Sequence, residues 1–376
     1  MPVLRGELDS FIPYSWETPS REIAEKYGLR PKDIVRMDLN TSPYRPVRWL
    51  TYLSKKIRNM DVNLYPDTTY RSLREALSIY TGKDVDEILI GNGADECLMM
   101  VAQAYVGRDD RVVVSTPTYS YFRVCAEIMG GKVVKVPRKP DFSDDVDAIL
   151  SAADNSKVIF LCSPNNPTGN LTERRDLLRI LDETEAVVVV DEAYYEYCGK
   201  TFSDLTSSYS NLVVVRTFSK AFSMAGVRVG YALAAKETVN QLNRVRPPNS
   251  LSVVSLALAE HALKNVQDVR RWVGKVVKER NRVKEALERD GRVKVFDSKG
   301  NFLLLQLKNV DAKEVHERLM RRGIVVRDLS ETVENCLRIT ILTKAENERF
   351  IKTFKAVLDE SYSEGSVKRI HRGKAK

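Results

Sequence analysis

From about residue 86 the chain alternates short apolar runs with segments of helical periodicity. EILIGN, RVVVS, KVVKV, KVIFLCS, AVVVVDEA, NLVVVRTFS and GYALAA have the length and β-branched content of strands. Between several of them lie the helix-length segments ECLMMVAQAYV, YSYFRVCAEIMG and TERRDLLRILDE. Apolar runs without polar alternation belong to strands covered on both faces, as parallel sheets require. The pattern predicts an α/β domain over residues 50–265, a three-layer α/β/α arrangement around a mostly parallel seven-stranded sheet.

The character changes after LSVVSLALAEHALK. A long charged helix, VQDVRRWVGKVVKERNRVKEALERD, leads into three shorter strands, NFLLLQL, GIVVRDL and CLRITI. With the helices DAKEVHERLMRRG and NERFIKTFKAVLDES these predict a smaller α+β domain over 266–362. Residues 1–49 have no core of their own and are expected to form an arm and part of the small domain. The basic residues 363–376 are expected to be a disordered tail. A chain of 376 residues exceeds the usual size of one hydrophobic core, which agrees with two domains.

The formal net charge of +9 raises the possibility of nucleic-acid binding. Part of the excess sits in the final VKRIHRGKAK, and no zinc-finger spacing or DNA-reading helix pair appears, so no nucleic-acid partner is expected. No apolar run is long enough to span a bilayer, and MPVLRGELDSFIPYSWETP lacks the apolar centre of a signal peptide. A cytoplasmic protein without a membrane partner is expected. Five scattered cysteines with no CxxC pair suggest neither a disulfide framework nor a metal site. The three histidines are isolated, so the acid–base chemistry is expected to belong to other side chains.

The segment Thr217-Phe-Ser-Lys220-Ala-Phe-Ser-Met-Ala-Gly226-Val-Arg228-Val-Gly230 follows a buried strand. That places Lys220 near a strand's C-terminal end, where α/β sheets bind ligands. A lysine flanked by the Thr217 and Ser219 hydroxyls and followed by Arg228 suits a Schiff base beside a phosphate, although such a segment alone is also a surface loop. In Val187-Val-Val-Val-Asp191-Glu-Ala-Tyr194 a carboxylate ends an apolar strand and calls for a cationic partner, unless it caps the next helix. Asn166, in SPNNPTG, and the run Gly91-Asn-Gly93-Ala94-Asp95-Glu96 follow two further strands. The first is a turn by composition; the second opens a helix whose free N–H groups suit an anion.

The ordered set GADE, TPTY, NNPTG, DEAYYEY, TFSKAF…GVRVGY and CLRIT resembles the fold-type I, class I/II aminotransferases over nearly the whole chain. The resemblance implies pyridoxal 5'-phosphate as cofactor, Lys220 as its Schiff-base lysine and Asp191 as partner of its ring nitrogen. Asn166 and Tyr194 would bond the phenolic oxygen, and Tyr119 would stack on the ring. Backbone groups of Ala94, Asp95 and Glu96, with Thr217, Ser219 and Arg228, would hold the phosphate. Tyr65, in LYPD, resembles the tyrosine that a neighbouring subunit lends, which implies a homodimer. Arg338, in CLRIT, resembles the arginine that grips the substrate carboxylate.

Within the superfamily the chain is most similar to the histidinol-phosphate aminotransferases, through Ile12-Pro-Tyr14, Asp38-Leu-Asn40, Tyr65-Pro-Asp67 and Gly323-Ile-Val-Val-Arg327-Asp328. In that family the residues matching Tyr14 and Arg327 help hold the substrate phosphate. The implied reaction transfers the amino group of L-histidinol phosphate to 2-oxoglutarate, giving imidazole-acetol phosphate and glutamate, with Lys220 as the general base. The sequence Asn40-Thr-Ser-Pro43-Tyr-Arg45 departs from the family's usual Asn-Glu-Asn-Pro, and Arg45 and Arg48 either border the substrate entrance or are solvated. A threonine-phosphate decarboxylase and a broad-specificity aromatic or aminoadipate aminotransferase are the rival readings.

Overall fold

The computed structural model describes residues 4–8, 11–14 and 16–373, excepting the side chains of Glu7 and of 364–373. The chain divides into two compact units. One comprises Met1–Tyr14, Tyr44–Asn166 and Asn170–Val273; the other comprises Ser15–Pro43, Pro167–Gly169 and Gly274–Lys376. The N-terminal residues are thus shared. Arg5 and Arg123 tie the arm to the helix Tyr121–Ile128 by donating to Ile128 O at 2.7 Å and Ile12 O at 2.8 Å.

Among the described residues thirteen strands run in chain order. The first, β1 (Val35–Arg36), belongs to the smaller unit. The larger unit holds β2 (Ile88–Gly91), β3 (Arg111–Thr116), β4 (Lys132–Pro137), β5 (Ser156–Cys162), β6 (Val187–Asp191), β7 (Leu212–Thr217) and β8 (Gly230–Ala234). They form one seven-stranded sheet in the order β2-β8-β7-β6-β5-β3-β4. Only β8 runs against the others, being antiparallel to both β2 and β7. All seven expected strands are present, and the mostly parallel sheet is the one predicted.

Every residue of β7 and β8, and all but the first residue of β6, is buried. Alternate side chains therefore face two covered sides. Val112, Val158, Phe160, Val189, Val213 and Ala232 pack on one side with Leu98, Val101, Phe122 and Leu242 of the helices. Burial of both faces leaves the strand ends as the place for polar side chains.

In the smaller unit β9 (Val293–Val295), β10 (Phe302–Leu307), β12 (Arg327–Asp328) and β13 (Cys336–Thr340) form an antiparallel sheet in the order β12-β13-β10-β9. The segment read as one strand, GIVVRDL, is divided. Its first part, β11 (Ile324–Val325), pairs in parallel with β1, and after Val326 the chain joins β13 instead. Strands of two or three residues such as β1 and β9 carry no periodicity for a pattern to detect. Residues 363–373, expected to be part of a disordered tail, are helical in backbone, because the helix Lys344–Gly373 carries through them. Once Phe350, Phe354, Val357 and Leu358 anchor it in the core, extension costs little and no proline interrupts it. Residues 374–376 lie outside the described residues. Among the described residues no helix is long and apolar enough to cross a membrane.

Phe160 of β5 stacks on Phe122 with centroids 5.0 Å apart and planes 6° from parallel, both rings fully buried. Phe160→Ala is expected to lower unfolding stability by about 3–5 kcal/mol, read as a lower urea midpoint at unchanged slope.

Candidate active site

Because β8 alone is reversed, its N-terminal end lies beside the C-terminal ends of β2 and β7, with Gly230 opposite both Gly91 and Thr217. The segments leaving this edge carry most of the residues singled out in the sequence. Asp191 ends β6, Thr217 ends β7 and leads to Ser219 and Lys220, and Arg228 precedes β8. Tyr119 follows β3, Asn166 follows β5, and the helix Ala94–Tyr105 follows β2.

The helix start is shaped for an anion. Gly93 is the N-cap at φ 83°, and no side chain caps the helix, so the first-turn N–H groups of Ala94, Asp95 and Glu96 remain available. Glu96 turns back to accept from Asn92 N–H at 2.7 Å. A Cβ built on Gly230 would lie 2.3 Å from the Gly93 carbonyl carbon and 2.4 Å from Ala94 N. Only glycine lets β8 lie this close to the turn. Arg228, itself left-handed at φ 56°, reaches over Gly93. Its Nη2 donates to Asp95 Oδ2 at 3.0 Å and its Nη1 to Ser219 Oγ at 3.4 Å. Thr217 Oγ1 donates to Ser219 Oγ at 2.9 Å and accepts from Ser219 N–H at 3.1 Å.

The sequence reading used only the backbone of Asp95, yet its carboxylate joins two predicted residues. It accepts from Arg228 and from the Tyr119 hydroxyl, the latter at 3.0 Å. Burial pushes the Tyr119 hydroxyl well above its ordinary pKa, with Asp95, Tyr14 and Asp191 adding to the shift. Tyr14 belongs to the same unit and meets Tyr121 edge-on, ring centroids 6.5 Å apart. Lys220 Nζ stands 5.9 Å from the centre of the buried Tyr194 ring.

Asp191 is 3% exposed and accepts from Ala193 N–H at 2.9 Å, a local bond of the kind the capping alternative foresees. That bond does not offset the cost of burial. Burial pushes the carboxyl up to about 7, while the Ala193 N–H and Lys220 pull the other way and Asp95 and Glu192 add to the rise. A buried carboxyl in this condition is ready for a closer cation.

Three further residues of the predicted set are Tyr65, Arg327 and Arg338. Tyr65 is 82% exposed. Arg327 and Arg338 belong to the smaller unit, where β12 and β13 set them directly opposite one another. Arg338 is buried and its Nη2 donates to Asp38 O at 2.5 Å, while Arg327 lies 3.8 Å from Glu17. Arg45 and Arg48 are exposed, and Arg48 lies 3.9 Å from Asp268.

A folded-state pKa raised from 3.8 to about 7 means that the folded protein retains a proton the unfolded chain has lost. This contribution to stability is full below about pH 4 and is lost as pH rises through about 7. In cofactor-free protein Asp191→Asn is expected to remove that loss, gaining at most about 4 kcal/mol at pH 8 and little at pH 4. Urea unfolding across that range checks it; parallel pH profiles for the two proteins would contradict it.

The chain matches the family model for aminotransferase class I and II over residues 32–354. It is 36% identical over 365 residues to the histidinol-phosphate aminotransferase of Methanocaldococcus jannaschii, covering 94% of this chain and 97% of the other. The histidinol-phosphate aminotransferase of Sinorhizobium meliloti, solved in complex with pyridoxal-5'-phosphate, superposes with a TM-score of 0.86 at 24% identity, covering 95% of this chain and 98% of the other. The L-threonine-O-3-phosphate decarboxylase of Porphyromonas gingivalis superposes with a TM-score of 0.77 at 25% identity, covering 87% and 100%. With the strand-end constellation and a family match over most of its length, the chain belongs to the class I and II aminotransferases.

Proposed function

We propose that this aminotransferase binds pyridoxal 5'-phosphate through Lys220 and transfers the amino group of L-histidinol phosphate to 2-oxoglutarate. The observation that carries the cofactor reading is the placement of an anion cradle, a lysine and a buried, under-compensated carboxyl at one edge of one sheet. The cradle fits a phosphate: Arg228 occupies the space that a Cβ on Gly93 would fill, and the first-turn N–H groups follow directly. Asp191 fits a protonated ring nitrogen, since a cation in contact would return its carboxyl toward the ordinary range.

When bound, the cofactor supplies the electron sink, and the protein's own task is placement. Asp191 would hold the ring nitrogen, Tyr119 would cover the ring, and Asn166 and Tyr194 would orient its oxygen. Lys220 would hold the cofactor and, as general base, would move the proton at the substrate's reacting carbon through Nζ. Arg338 would take the carboxylate of 2-oxoglutarate and Arg327 the substrate phosphate, where a guanidinium offers two parallel donors. The substrate reading is supported by the curated relatives, which carry the name histidinol-phosphate aminotransferase at about a third identity over most of the chain.

The same reading includes a homodimer in which Tyr65 serves the partner's site. In its own chain Tyr65 is exposed, as are Val62, Leu64 and Ile79, and such a group of apolar side chains suits an interface. The protein is expected to sediment at twice the chain mass of 42.7 kDa, and an active monomer would overturn this part of the reading.

Purified protein loaded with pyridoxal phosphate is expected to lose its visible band on addition of histidinol phosphate without an acceptor. A band that ignores histidinol phosphate but responds to phosphothreonine with loss of carbon dioxide would instead assign the decarboxylase reaction. Lys220→Ala is expected to abolish turnover. Arg327→Ala is expected to raise KM for histidinol phosphate by about ten- to a hundredfold while leaving histidinol itself little affected.

A further inference from the structure

Behind the candidate site lies a buried ionic cluster that the motifs did not single out. Val189, Val213 and Val215 share one face of the sheet, so strand alternation sets Asp191 and Thr217 on that face and Glu192 and Arg216 on the opposite one. The β6–β7 ladder pairs Asp191 with Val215 and continues as Glu192 N–H donates to Val215 O at 2.8 Å. Glu192 and Arg216 therefore sit at the two strand ends immediately behind the carboxylate and the lysine-bearing turn.

Their contact is tightly specified. Arg216 Nε donates to Glu192 Oε2 at 2.9 Å, with side chains 3% and 0% exposed. Arg216 Nη2 donates to Thr201 Oγ1 at 2.5 Å and Ser203 Oγ at 3.3 Å, and its guanidinium lies 3.7 Å from the centre of the Tyr195 ring. Glu192 also accepts from Phe202 N–H at 2.7 Å and Thr201 Oγ1 at 2.8 Å. Further titratable neighbours of Arg216 are Glu196, Tyr80, Cys198 and, directly across the ladder on β8, Tyr231. Tyr80, from the helix Arg71–Thr81, donates to Glu196 at 3.3 Å.

A buried ion pair is a poor way to gain stability, because desolvating two charges offsets much of their attraction. What this pair does supply is directional bonds that fix two adjacent strand ends. We propose that Glu192 and Arg216 are positioning residues, which act through the β6–β7 ladder to hold Asp191 and the Thr217–Lys220 turn at the separation the cofactor requires. Neither side chain lies on the sheet face that carries Asp191 and Thr217. The inference rests on the cofactor reading above and assigns to this pair a part of the cofactor's affinity and electronic setting.

Arg216→Met alone leaves Glu192 charged and buried without its cation, and this variant is expected to lose stability. The informative protein is the double variant Glu192→Gln/Arg216→Met, which removes both charges while Gln keeps an acceptor for Phe202 N–H. Three quantities are measured on it and on wild type: the urea midpoint of the cofactor-free protein, the dissociation constant for pyridoxal phosphate, and the pH midpoint of the visible absorbance change of the loaded protein. Positioning requires the double variant to bind pyridoxal phosphate about tenfold or more weakly. Its pH midpoint is expected to rise by about one unit, because a ring nitrogen held less firmly by Asp191 places less positive charge near Lys220 Nζ. Both changes are expected with a urea midpoint close to wild type.

Restored stability together with wild-type affinity and pH midpoint would overturn the proposal and leave the pair a purely structural one. If the double variant stays unstable, Arg216→Lys provides the second measurement. It keeps the cation, and unchanged affinity and pH midpoint in it despite the lost fork to Thr201 and Ser203 would count against positioning. Wild-type protein that takes up no pyridoxal phosphate would remove the cofactor reading itself, a result distinct from either.

Discussion

The hydrogen-bonded ladder between β6 and β7 sets the terms for the chemistry. It joins two strands buried on both faces, so their interior positions accept almost nothing but valine and leucine. Polar groups are displaced to the strand ends, and the register that opposes Asp191 to Val215 fixes where those ends come together. The lysine-bearing turn starts two residues further along β7. Placement of Lys220 relative to Asp191 follows from backbone hydrogen bonds in the sheet, a more rigid frame than two loops could offer.

Reversal of β8 completes the edge. An antiparallel strand brings its beginning to the place where its neighbours finish, and so Arg228 enters the same region as Thr217 and Ser219. The close approach has a strict requirement at Gly230, where any side chain would meet the backbone of Gly93 and Ala94. Glycine here secures a short distance between a guanidinium and a helix start. On the proposed reading, the two positive features would address one phosphate from different sides.

Charge is distributed unequally between the two sides of these strands. On one side burial pushes the Asp191 carboxyl up, and the Ala193 N–H and Lys220 offset that rise only in part. On the other side Glu192 has a full cation and several donors. Adjacent acidic residues in one sequence thus take opposite parts, one open to a ligand and one closed within the fold. Nothing in the pair Asp-Glu itself distinguishes them; the partner across the ladder does.

The sequence by itself determined the seven strands of the large sheet, because uninterrupted β-branched runs have few alternatives in a chain of this composition. It also placed Lys220, Asp191, Arg228 and the Gly93–Glu96 turn at strand ends, where the structure has them. Tertiary structure alone decided the rest. The carboxylate of Asp95 became a link between Arg228 and Tyr119 only when β2, β3 and β8 were brought to one edge. The division of GIVVRDL between two sheets depended on which partner strands lay within reach, a choice made by pairing and not by periodicity. Likewise the Glu192–Arg216 contact spans 24 residues of chain and exists only because parallel pairing sets the two strand ends side by side. Local pattern records which residues are apolar and where turns fall; long-range register decides which polar groups meet.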